Sequence, residues 1–202
     1  MKDSKPSDVK ETIIRESTRL FLANGFRGTS VKEITEAAGI GRGTLYWYFK
    51  SKDEILITIF KKFETELLDP LNEKVRHFKG DFSAKYRLFH KYSTEFAREN
   101  RELCLAFNTL LNEMSGTKTK AERVAKAVYK KFLRIVEGML EEGKGDGSVG
   151  RDVDSALYAH AVLACHTGML VQWLVLGETI DVRAFVAVVR NFILKGIAPQ
   201  KR

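Results

Sequence analysis

The sequence predicts an all-α protein: an N-terminal three-helix helix-turn-helix unit joined through a fourth helix to a larger helical domain, about nine helices in all. Three observations carry this. Apolar residues recur at helical spacing along most of the chain, and no alternating, strand-like run interrupts them. Ser30 with Glu33 and Ser51 with Glu54 have capping-box spacing, which marks two helix starts. Between those starts, Gly39 and Gly41 supply the backbone freedom that a sharp turn between two short helices requires.

The first helix spans about Val9 to Asn24, with Val9, Ile13, Leu20, Phe21 and Ala23 at helical spacing, and Asn24-Gly25 ends it in a left-handed cap. The second opens at Ser30 and has Ile34, Ala37 and Ala38 on its apolar side. In the third, about Arg42 to Phe49, a rotation of roughly 100° per residue puts Leu45 and Phe49 one turn apart on an inward face. Gly43 and Trp47 then face outward, Thr44 and Tyr46 flank them, and Arg42 and Tyr48 lie nearer the inner edge. The fourth helix, Asp53 through Leu68, has a wide stripe of Ile55, Leu56, Ile59, Phe60, Phe63 and Leu67, and Asp69-Pro70 stops or kinks it. Lys79-Gly80-Asp81 is a turn. Helices follow at about Ser83–Asn100, Arg101–Met114, Lys118–Glu142, Asp154–Gly177 and Val182–Gly196. No flexible linker separates residues 1–52 from 53–202, so the fourth helix can pass a small rotation from one part to the other.

At 202 residues, 44% apolar and 30% charged, the chain can bury one sizeable core or two modest ones, which argues against disorder. Its net charge of +8 favours an anionic partner, whether DNA, RNA or a membrane surface. Cys104 and Cys165 stand alone in apolar surroundings, and the N-terminus has no secretory apolar run, so a reducing, cytoplasmic setting is expected. Ser155 to Gly177 has no charged residue and is long enough to span a bilayer. Against a span stand His160, His166 and Gln172 within it, and the following helix with Arg183, Arg190 and Lys195. A helix apolar on nearly all sides also results when one side packs on its own domain and the other on a second subunit.

No metal, cofactor or catalytic residue is expected. His160 and His166 lie roughly 240° apart on a helix, so they form no ligand pair. Gly145, Gly147 and Gly150 match GxGxxG but follow a charged helix and not a strand, which makes them a loop. No GxSxG, phosphate-loop lysine, HExxH or paired Cys/His spacing occurs.

The outward face of the third helix combines Trp, Tyr and Thr with no acid, flanked by Arg42, Lys50 and Lys52, and so suits a polyanion groove. Gly25-Phe26, Thr29-Ser30, Ile34, Ala38-Gly39, Gly43, Leu45-Tyr46, Tyr48-Phe49, Lys52 and Ile55 together resemble the signature of the tetracycline-repressor (TetR) family. The motif-level resemblance covers about the first quarter of the chain. The rest is similar in length, helical content and a nearly uncharged penultimate helix. Thr35 stands where the family usually has Ala, Gly41 where a Ser or Thr cap is common, and Trp47 is bulky for a variable reading position.

The resemblance and the helical wheel agree on a division of labour. Arg42, Gly43, Thr44 and Trp47 are expected at base edges; Thr29, Lys32, Tyr46, Tyr48 and Lys52 are expected at phosphates. Ala161, Ala164 and Gly168 lie on nearly one line and, with Phe185, Val189 and Phe192, suggest half of a four-helix dimer interface. A two-fold dimer requires a near-palindromic operator with half-sites roughly 34 Å apart. The resemblance also implies an inducer cavity in the second domain. Tyr86, Phe89, His90, Phe107, Asn108, Phe132, His166 and Trp173 are its candidates, although aromatic stripes of this kind are more often core than pocket. The function expected is a homodimeric, ligand-responsive repressor of double-stranded DNA, released by a small-molecule inducer. Its rivals are a membrane-anchored sensor spanning 155–177 and a helical enzyme acting on an apolar substrate.

Overall fold

Residues 6–176 and 181–197 are described by a computed structural model, and among them the chain forms ten α-helices, one π-helical stretch and no strand. In chain order these are α1 (Pro6–Gly28), α2 (Val31–Ala37), α3 (Arg42–Tyr48), α4 (Lys52–Phe63), the π-helical Glu64–Leu68, α5 (Asp69–His77), α6 (Phe82–Glu99), α7 (Arg101–Met114), α8 (Lys120–Asp146), α9 (Ser155–Leu176) and α10 (Val182–Ile197).

The first capping box forms in full. The Ser30 hydroxyl accepts from Glu33 N at 3.2 Å, and Ser30 N donates to the Glu33 carboxylate at 2.6 Å. The second forms by half: Ser51 accepts from Glu54 N at 3.2 Å, but Glu54 reaches past its cap to Lys50 N at 2.7 Å. Gly25 interrupts α1 with φ 74° and ψ 163°, so the regular helix ends where Asn24-Gly25 predicted. In the next turn only Gly39 takes a left-handed conformation, at φ 66°; Gly41 is extended at φ −77° and caps α3 without a side-chain bond.

Asp69-Pro70 does not stop the helix. The backbone passes through the π-helical stretch and resumes as α5 with Pro70 in its first turn, where a missing N–H leaves nothing unpaired. Only Leu71 and Val75 mark the buried side of α5, too short a stripe to decide from sequence between a stop and a kink.

The described chain forms two compact units that follow packing and not chain order: residues up to Glu66 with Asn100–Val128, and Leu67–Glu99 with the residues from Tyr129 onward. In the first, α1 packs on α2, α4 and α7. Its core includes Ile13, Phe21, Ile34, Leu45 and Phe60, and α7 contributes Phe107, stacked on Phe63 at 4.1 Å and edge-on to Phe60 at 5.9 Å. In the second, α6 packs on α5 and α9, and α9 on α10. Phe82, Tyr86 and Phe89 stack along α6, the buried Lys85 pairs with Glu142, and Lys131 pairs with Asp69. The side of α9 that includes Ala159, Val162, Leu163, His166 and Met169 is buried. Among the described residues no helix is long and apolar enough to cross a membrane.

The α7–α8 turn holds Gly116 and Lys118 at φ 81° and 58°, and the Glu122 carboxylate accepts from both their amides at 2.8 and 2.6 Å. Its ion pair with Lys126 and these two amides hold the Glu122 acid down at about 2, against an ordinary 4.5. The turn therefore contributes stability above about pH 4.5 that is lost as pH falls toward about 2. Glu122→Gln is expected to flatten that acid limb in thermal melts followed by circular dichroism.

Candidate functional site

The link between α1 and α2 turns sharply at Gly25, and its polar backbone groups are satisfied by residues distant in sequence. Phe26 N and Arg27 N donate to the Glu113 carboxylate of α7 at 2.8 and 3.1 Å. The Lys52 ammonium donates to Phe26 O and Thr29 O, both at 2.6 Å, and sits 4.4 Å from the Phe26 ring centre. The Thr29 hydroxyl donates back to Gly25 O at 2.8 Å. An acid and a base from two different helices thus hold the donors and acceptors of one bend, which sets where α2 and α3 begin.

On that base α3 is anchored through Leu45 and Phe49, both buried. Arg42, Gly43, Thr44 and Tyr46 are exposed, and Trp47 is 74% exposed. A Cβ added at Gly43 would meet nothing within 4 Å, so another molecule's surface can approach the backbone there. Tyr48 is half-buried, its ring edge-on to Trp47 at 4.5 Å. All four residues expected at base edges therefore lie on the open side of one short helix.

The phosphate set divides. Tyr46 and Tyr48 flank the open face, and Lys32 is exposed with its ammonium 3.7 Å from Glu36. Thr29 is buried with its hydroxyl used internally, and Lys52 is tied to two backbone carbonyls. Both hold the bend from inside. Glu113 escaped sequence reasoning because nothing in local spacing links it to a bend some 87 residues away.

The pocket candidates also divide. Phe107 and Asn108 belong to the first unit, Phe107 in its aromatic core and Asn108 donating to Cys104 O at 2.9 Å. Tyr86, Phe89, His90, Phe132 and His166 come together in the second unit: Phe89 lies 5.0 Å from His166 and 5.6 Å from Phe132, and His90 lies 5.3 Å from His166. Trp173 lines a small cavity beside the two histidines. Burial pushes His90 down to about 4 and His166 to about 3, so both rings are neutral near pH 7.

A second uncovered surface runs along α9 and α10. Leu157, Ala161, Ala164, Gly168, Val171 and Val175 alternate spacings of four and three, and all but the half-buried Gly168 are exposed. On α10, Phe192 is 72% exposed with Val188 beside it, while Phe185 and Val189 are half-buried. An open cleft of about 530 Å³ lies between the two helices, bordered by Ala161, Cys165 and Phe192. So large an apolar strip is unusual on a surface that stays in water.

The family model described as "Bacterial regulatory proteins, tetR family" matches residues 13–59, and "YsiA-like protein, C-terminal region" matches residues 60–196. The chain is 26% identical over 197 residues to the "Fatty acid metabolism regulator protein" of Bacillus subtilis (strain 168), covering 98% of each. The crystal structure of the MbdR regulator from Azoarcus sp. CIB superposes with a TM-score of 0.81 at 27% identity, over 94% of this chain and 98% of that one. The transcriptional regulator FadR from Bacillus subtilis, in complex with stearoyl-CoA, superposes with a TM-score of 0.79 at 22% identity, over 93% and 98%.

Lys52→Ala removes two charge-assisted bonds and is expected to lower stability by about 2 kcal/mol. With two of its three donors used on the bend, Lys52 is expected to add little to the salt slope of DNA binding, which should stay unchanged in the variant; a flattened slope would keep Lys52 in the phosphate set.

Proposed function

Because the chain belongs to the tetR family of bacterial regulatory proteins, we propose that it is a cytoplasmic, homodimeric repressor that reads a near-palindromic operator with α3 and is released by an apolar small molecule. Residues 1–52 form the DNA-reading part and 53–202 the ligand-binding and dimerisation part. The observation that carries the reading is α3 itself, whose exposed Arg42, Gly43, Thr44 and Trp47 stand over a buried Leu45–Phe49 anchor. Arg42 suits a bidentate contact to guanine, Gly43 close backbone approach, and Trp47 apolar contact with a thymine methyl. Tyr46, Tyr48 and Lys32 position the helix on the backbone.

The exposed seam of α9 and α10 supports a four-helix dimer contact through Ala161, Ala164, Gly168, Phe185, Val189 and Phe192. A fatty acyl thioester is the inducer class favoured by the likeness to a fatty acid metabolism regulator and to a regulator in complex with stearoyl-CoA. The inducer must bind the DNA-incompetent form more tightly, since a ligand shifts an equilibrium only by its differential affinity.

Titration of the protein with fragments from upstream of its own coding region, at several salt concentrations, tests the repressor reading. Tight binding to one fragment, reversed by stearoyl-CoA, is expected; equal weak binding to all fragments would remove it. Arg42→Ala should lose about 1–3 kcal/mol of discrimination at one base position, and a uniform loss on operator and random DNA would take Arg42 out of the base-reading set. Phe192→Asp, at an exposed position, should give a folded monomer by light scattering with no tight operator binding. A dimer that survives it would place the subunit contact elsewhere.

A further inference from the structure

Four buried polar side chains of the second unit leave hydrogen-bonding capacity unused. Tyr86, His90 and Ser93 come from α6 and His166 from α9, and none is more than 5% exposed. Tyr86 Oη, His90 Nε2, Ser93 Oγ and His166 Nδ1 have no hydrogen-bond partner among the described residues. Each such buried group costs about 1–3 kcal/mol, and a closed core would place apolar side chains there. Against the two imidazoles lies a cavity of about 10 Å³, bordered also by Thr94, Met169, Leu170 and Trp173. It holds about one water-sized body as it stands, and the unbranched Met169 borders it as the side chain best able to yield to something larger.

The tautomer of His90 follows from its neighbour. The Thr94 hydroxyl lies 2.8 Å from His90 O and 3.2 Å from His90 Nδ1. A hydroxyl has one proton and a carbonyl oxygen only accepts, so Thr94 donates to the carbonyl and accepts from Nδ1–H. The proton of the neutral ring is therefore on Nδ1, and Nε2 presents a bare lone pair. Burial, with the Arg190 charge acting in the same direction, keeps that ring uncharged. An ether, a thioester or a carboxylate offers Nε2 only more lone pairs. A hydroxyl donates to Nε2 and can accept in turn from His166, the other imidazole lining the cavity.

We propose that His90 and His166 form a recognition pole for a hydroxyl group on an otherwise apolar chain. This rests on reading the second unit as the inducer-binding one. Within the acyl class it adds a preference for a chain that bears a hydroxyl.

The chain has two tryptophans, so Trp47→Phe leaves Trp173, at the cavity, as the single fluorescent reporter. In that background 1-decanol, decyl methyl ether and decanoate are titrated against Trp173 emission. The alcohol is expected to bind at least about tenfold more tightly than the ether, the difference of one good hydrogen bond. His90→Phe should bring the ratio to near one while leaving ether binding intact; should that variant not fold, Thr94→Val, which removes the hydroxyl that holds the His90 ring, is expected to reduce the ratio. Equal binding of alcohol and ether, or no response to either, would overturn the proposal and leave the cluster as a core or water site. Tightest binding of decanoate would overturn it in favour of an anion site near Arg190. Operator release by stearoyl-CoA is scored separately. Release without alcohol selectivity sinks only the hydroxyl pole, and selectivity without release sinks only the acyl-thioester reading.

Discussion

The bend from Gly25 to Thr29 is the constraint on which the DNA-reading geometry rests. A helix that ends in a left-handed glycine leaves amides and carbonyls with no partner of their own, and in a part-buried setting each one left bare is destabilising. Glu113 takes the amides and Lys52 the carbonyls, while Thr29 closes the loop onto Gly25 O. The direction in which α2 leaves, and with it the outward face of α3, follows from these contacts. Because Glu113 lies on α7, the first compact unit is completed by a helix that the chain reaches only after leaving that unit and returning to it.

Two faces remain uncovered once each unit has packed its core, and they differ in chemistry. The α3 face is aromatic and basic, suited to a groove lined by phosphates. The α9–α10 face is aliphatic and uncharged over most of its length, suited to another apolar helix pair. Apart from these faces, the second unit keeps two neutral imidazoles and a phenol that each leave one buried polar atom without a partner among the described residues. Natural cores rarely leave such groups unpaired.

Local chemistry was legible wherever a function depends on neighbours in the chain. The Ser30–Glu33 box, the glycine ends of α1 and α2, the inward Leu45 and Phe49 and the outward Trp47 all follow from spacings of three and four. Spacing alone left open whether Asp69-Pro70 stops the helix or kinks it: the regular helix gives way to a π-helical stretch just before the proline, which then lies in the first turn of the next helix. Phe107 was read with the aromatic residues of the second unit because an aromatic position on a helical stripe does not say which neighbouring stripe it will meet.

The sequence by itself determined the all-helical class, the helix-turn-helix, the outward side of α3 and the apolar seam of α9, because each depends on periodicity and capping within one or two turns. Only the tertiary structure decided that Thr29 and Lys52 work inside the bend, that Glu113 completes it, and that His90 and His166 meet. Those outcomes depend on which helices are brought together, and contacts between residues tens of positions apart leave no mark in local spacing.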